Sequence, residues 1–138
     1  MIKALASRKR TQSLGEEIAN SVSHGVGLLA AVAAAPVLVH SAVRHDGTAR
    51  IVGASIFAAT MVLLYLTSTL YHALPRNRAK KIFQVLDHAA IFFMIAGTYT
   101  PFTLGVLRGT WGWTLFGLVW GIGWLLAGGI AYTVGREM

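Results

Sequence analysis

The sequence predicts an all-α integral membrane protein built as a four-span helical bundle, and three observations carry that prediction. Of the 138 residues, 55% are hydrophobic and only 12% charged, a balance that argues against a soluble domain. Formal charges are absent from 18–43, 51–75, 88–107 and 109–135, and each window can hold the roughly 20 residues a membrane-crossing helix needs. Polar side chains nevertheless stand at the ends of these windows, where hydrocarbon makes them costly and so marks them as functional candidates. No polar stretch is long enough for a soluble domain, so 1–138 reads as a single membrane domain whose burial comes from lipid and from helix-on-helix contact.

The elements follow in order. Residues 1–17 read as a cytoplasmic leader and the first span as about 21–43. A cleaved signal peptide is the competing reading of that span, because Ala33-Ala34-Ala35 resembles a small-residue cleavage site. Against it stand the long leader, its Glu16 and Glu17, and an apolar run that continues through Pro36 to Val43. The second span is expected at about 51–71, after a connector at 44–50. Pro75 and the basic run Arg76, Arg78, Lys80 and Lys81 make 73–86 a cytoplasmic loop. The third span, about 87–107, is interrupted by Pro101, whose freed carbonyl the hydroxyls of Thr98, Tyr99 and Thr100 could satisfy, so a kink is expected there. The fourth, about 110–134, carries Gly117 and Gly121, a small-xxx-small pair that suits close helix packing.

Charge orients the chain. The net charge of +7 comes from twelve Lys and Arg. With the N terminus cytoplasmic, nine of them lie inside: Lys3, Arg8, Lys9, Arg10, Arg76, Arg78, Lys80, Lys81 and Arg136. Three lie outside, at Arg44, Arg50 and Arg108. This is the positive-inside pattern of an integral membrane protein with a cytoplasmic N terminus. The basic runs flank spans and have no folded platform, so anionic lipid headgroups rather than nucleic acid are the expected partner. Zero cysteines exclude disulfides and thiolate metal sites, leaving His, Asp or Glu for any metal. So small a bundle also admits a second copy of itself as a partner.

Alternate threading places the start of span one, the end of span two and the start of span three on one membrane face, and the polar residues collect there. Glu17, Asn20 and His24 are spaced by three and four, which puts them on one helical stripe that can form a hydrogen-bonded column. Interfacial capping is the plainer alternative for each alone. Ser68 and His72 are one turn apart, so the hydroxyl can orient the imidazole or share a water with it. Asp87 opens an otherwise uncharged run, and a carboxylate there wants a metal, a cation or donor side chains unless it is only a helix N-terminal charge. His88 points about 100° away on the helix, as a packing or supporting group. His40 and His45 lie toward the opposite face.

These residues resemble a known family. Glu17-x-x-Asn20-x-x-x-His24, Ser68-x-x-x-His72, and Leu86-Asp87-His88-Ala89-Ala90-Ile91 through Ala96-Gly97-Thr98-Tyr99-Thr100-Pro101-Phe102 look like the bacterial hemolysin III proteins, which belong with the progestin and adipoQ receptors. The resemblance covers about residues 14–107. It implies a seven-span bundle of which this chain is a truncated version, a cytoplasmic N terminus, a zinc ion near the cytoplasmic face, and hydrolase or receptor activity toward lipid-like molecules. By motif, His72 matches a zinc ligand, Asp87 the carboxylate holding a zinc-bound water, and Ser68 a polar neighbour of the site. Glu17, Asn20 and His24 match the first motif as structural support or access.

The departure is at the C-terminal side. The family's remaining two zinc ligands come from a late H-x-x-x-H, and no histidine follows His88. The stretch Leu126 to Gly135 is similar to one that precedes that motif, yet it follows Trp111 to Trp124 directly. Catalytic zinc normally takes three protein ligands and an open position, so an impaired metal-dependent hydrolase of lipid-like amides or esters is expected. The alternatives are a ligand-sensing receptor and a pore-forming or cytolytic protein.

Overall fold

The structure is a computed structural model that describes residues 12–45 and 47–136. It contains four long helices: α1 (Leu14–Arg44), α2 (Thr48–Ala73), α3 (Arg78–Pro101), continued by a π-helical segment Phe102–Leu107, and α4 (Gly109–Gly135). All four are long and apolar enough to cross a membrane. The expected basic residues Lys3, Arg8, Lys9 and Arg10 lie outside the described residues.

Helices α1 and α3 begin well ahead of their charge-free windows, and local chemistry explains why. Ser13 and Glu16 form a capping box, Ser13 Oγ accepting from the Glu16 amide at 3.3 Å and Glu16 Oε2 accepting from the Ser13 amide at 2.8 Å. This starts α1 at Leu14 rather than near 21. Asn77 Oδ1 likewise accepts from the Lys80 amide at 3.0 Å, so α3 starts at Arg78 rather than 87 and the expected 73–86 loop shrinks to Leu74–Asn77. Asp87 is therefore in the third turn of α3, beyond the reach of an N-terminal dipole effect.

The helices pack in sequence order, α1 on α2, α2 on α3, and α3 with its π segment on α4. Helices α2 and α3 have a protein neighbour on two sides and bury five residues each, whereas α1 buries only Ala31 and α4 only Gly112, Gly123 and Ala127. The outer faces of α1 and α4, with Leu29, Val37, Leu118 and Leu125 exposed, are surfaces for lipid. Apolar burial between helices gains little when lipid is the alternative, so close approach at small residues becomes the means of adhesion. A Cβ at Gly53 would stand 2.7 Å from Pro101 Cα, and one at Gly97 would strike the Thr60 side chain. The expected pair Gly117 and Gly121 has open space around it instead. The register of α4 turns Gly112, Gly123 and Ala127 inward, and those two glycines outward.

Past Pro101 the helix widens rather than simply bending, and Phe102–Leu107 takes π geometry. Thr98 and Thr100 bond the carbonyls of Met94 and Ala96, each at 2.8 Å, not the one proline frees. Trp120 Nε1 donates to the fully buried Thr100 hydroxyl at 3.0 Å. This accounts for a tryptophan near mid-span.

Candidate functional site

The start of α1, the end of α2 and the start of α3 meet at one end of the array, where the side chains form two tiers. In the outer tier Glu17 joins all three helices. Its Oε2 accepts from His72 Nδ1 at 2.9 Å and its Oε1 pairs with Lys80 Nζ at 2.9 Å. Both members of the ion pair are largely buried, Glu17 being 15% and Lys80 12% exposed at the side chain. Lys80 also donates to the Leu74 carbonyl at 3.2 Å, one of the orphan carbonyls at the end of α2, and sits 4.9 Å above the Tyr71 ring. Lys80 was expected to face lipid headgroups; it turns inward because Glu17 gives it a charge partner.

The inner tier lies one to two turns deeper. His24 Nδ1 and Ser68 Oγ are 2.5 Å apart across the α1–α2 seam. Ser68 thus orients His24, not His72 one turn away, because its 3% exposed side chain faces α1. Asp87 is 8% exposed on α3. Asp87 and His24 are each seven residues, about 10 Å of helix, inward of the Lys80–Glu17 pair, so they share a depth. Asp87 Oδ2 is 3.9 Å from His88 Nδ1, which bonds the Gln84 carbonyl at 2.7 Å.

Rings connect the tiers. His24 and His72 are 5.8 Å apart at the centroids, Tyr71 and His72 4.7 Å, and Tyr71 and His88 6.2 Å. Tyr71 and Lys80 are the two members that sequence reasoning missed. Tyr71 carried only its adjacency to His72 as a signal. Asn20 does not join: it borders a shallow groove with Gln12, Glu16 and Ala19, and Ser21 takes the seam position, its hydroxyl 3.4 Å from the Thr69 carbonyl. The expected column along α1 is replaced by a bridge through α2. His45 stands at the opposite end of the array, bonded to the Ser41 carbonyl.

The chemistry of this arrangement is set by which nitrogen is occupied. A carboxylate only accepts, so His72 donates from Nδ1 to Glu17 and presents the Nε2 lone pair. A carboxylate behind an imidazole is how proteins orient a metal-binding histidine. The donor set, however, does not close around a metal: among the described residues no three His, Asp or Glu side chains lie close enough together to hold one. Beside the cluster opens a cavity of about 520 Å³, lined by the polar Glu17, His72, Arg76 and Lys80 and by the apolar Ile18, Val22 and Leu74.

A model of haemolysin-III-related proteins matches residues 12–136. The chain belongs to the haemolysin-III-related family. It is 41% identical over 126 residues to a hemolysin-3 of Bacillus cereus, covering 91% of this chain and 56% of that protein. It is 43% identical over 122 residues to a hemolysin-3 homolog of Bacillus subtilis (strain 168), covering 88% of this chain and 56% of the relative. The chain thus spans a little over half the length of these haemolysin-III relatives. No solved structure matches it.

Proposed function

We propose that this haemolysin-III-family membrane protein sits in the bacterial inner membrane with its N terminus cytoplasmic. The cluster of Glu17, His24, Ser68, His72 and Asp87 then takes the polar group of a lipid-like amide or ester at the cytoplasmic face, as a metal-dependent hydrolase does. One observation carries this reading. Two imidazoles, each held at Nδ1 by a partner on another helix, stand 5.8 Å apart at the centroids, and one of them, His72, lines a cavity that Ile18, Val22 and Leu74 also line. Fixed imidazoles are useful for proton transfer or metal binding, and apolar lining residues suit a substrate with an acyl chain. Glu17, His24 and Lys80 act as positioning residues, and Asn20, which borders the separate groove with Gln12, Glu16 and Ala19, does not share that role.

This chain alone holds zinc weakly, because His72 and His24 are the two imidazoles that meet across the α1–α2 seam and, among the described residues, the three protein ligands of a catalytic site are not assembled. The hydrolase reading is tested by incubating the purified chain with fluorogenic lipid esters and amides, with and without added zinc, beside His72→Ala. Zinc-dependent turnover that His72→Ala abolishes supports it. Saturable binding without turnover would favour the receptor reading. A pore needs a polar stripe across the whole membrane, and these polar side chains gather at one end; the cytolytic reading rests on the relatives' names alone.

A further inference from the structure

The opposite end of the array holds a second cavity, of about 550 Å³, between the first turn of α2, the π segment and the start of α4. Ala49, Val52, Leu104 and Trp113 give it an apolar wall, and Arg108 stands in its lining. Val52 and Trp113 are 41% and 65% exposed, so in a membrane that wall continues into the lipid-facing surface.

Arg108 is prepared for an outside partner. Its backbone sits at φ 44° and ψ 169°, a left-handed conformation that a non-glycine residue rarely adopts. Its Nε donates to the Gly105 carbonyl at 3.1 Å, which pins the guanidinium and leaves the fork of its two terminal nitrogens for an acceptor. The Arg50 side chain passes the same glycine, its Cγ 3.8 Å from where a Cβ on Gly105 would stand, and donates to the His45 carbonyl. Arg44 ends α1 nearby. In the sequence this end holds Arg44, Arg50 and Arg108 against one acid, Asp46 of the α1–α2 connector, so it keeps a net positive charge, while the carboxylates of Glu16, Glu17 and Asp87 are at the other end. Helices α2 and α4 both begin here without a side-chain cap; their amides add to the field of the guanidinium and do not replace it.

We propose that this cavity binds one anionic phospholipid of the leaflet at that end, with its phosphodiester on Arg108 and an acyl chain along Val52, Leu104 and Trp113. A planar guanidinium fork matches phosphate oxygens, and an apolar wall open to the bilayer suits a chain that a free anion lacks. The site is separate from the Glu17–His72 cluster and does not depend on the function proposed for it.

Native mass spectrometry of the full chain, released from micelles holding equal phosphatidylglycerol and phosphatidylcholine, tests this. One phosphatidylglycerol is expected to be retained in preference to phosphatidylcholine, and Arg108→Gln to cut that preference about fivefold. Arg78→Gln, at the other end, should leave it unchanged. Excess inorganic phosphate should not displace the lipid; displacement would reveal a site for the anion alone and overturn the proposal. Equal retention of both lipids by the wild-type chain, or an unchanged preference in a helical Arg108→Gln variant, would also overturn it. Should Arg108→Gln lose its helical signal, Val52→Trp, which fills the cavity and keeps the guanidinium, is expected to lose the bound lipid, and retention there counts against the site.

Discussion

Replacing Glu17 by Gln keeps the side chain's shape and removes its charge, which isolates the ion pair that joins the three helices. Exposed pairs contribute about 0–1 kcal/mol and breaking a fully buried one costs about 3–5 kcal/mol. Glu17 and Lys80 fall between these limits. At 15% and 12% exposure they are screened little, yet Lys80 keeps the Leu74 carbonyl and the Tyr71 ring after the carboxylate is gone. A cost of about 2 kcal/mol for Glu17→Gln follows, and Lys80→Met should cost about as much. The two changes remove one shared interaction, so the double variant should cost about 1–2 kcal/mol less than the sum. Reversible unfolding in mixed micelles by added dodecyl sulfate, followed by far-ultraviolet helicity, measures all four corners of the cycle. Effects that add to within about 0.5 kcal/mol would refute the reasoning, because they would show that the two side chains do not share the interaction.

Further expectations concern packing and orientation. Gly97→Ala drives a methyl into Thr60 and should cost about 1–3 kcal/mol in the same unfolding assay, while Gly121→Ala, with open space around it, should change stability by less than about 0.5 kcal/mol. Trp120→Phe removes the donor to the Thr100 hydroxyl and should cost about 1 kcal/mol, with the Thr100 to Ala96 bond retained. A topology reporter fused in the 44–50 connector should read periplasmic and one after Arg136 cytoplasmic; the reverse would sink the orientation drawn from charge.

The four helices were legible because formal charge is absent across four windows, and lipid tolerates little of it. The starts of α1 and α3 were not, because 1–17 read as a leader and 73–86 as a loop, and only the Ser13 capping box and the Asn77 cap show those helices reaching past the charge-free windows. The site residues were legible in identity and less so in pairing. Spacing placed Asn20 with Glu17 and His24, but a stripe on one helix does not say which edge of it meets the neighbour, and the α1–α2 seam runs through Ser21. Ser68 lies one turn from His72, yet its partner is His24, which only the packing of α1 on α2 could disclose. Gly117 and Gly121 show the same limit: a motif suited to close approach is silent about whether a neighbour stands there.

Under the proposed function, Glu17 and Ser68 hold His72 and His24 as an incomplete metal-binding centre. Zinc titration of the purified chain against a chromophoric chelator tests it most directly, beside His72→Ala, His24→Ala and His40→Ala. Two imidazoles supply roughly half of the 10–16 kcal/mol of a full structural site, so a dissociation constant of about 1–200 μM is expected. That affinity should be lost in His72→Ala and His24→Ala and kept in His40→Ala. Zinc binding that persists unchanged without His72, or zinc bound tightly enough to survive a mild chelator, would contradict the account.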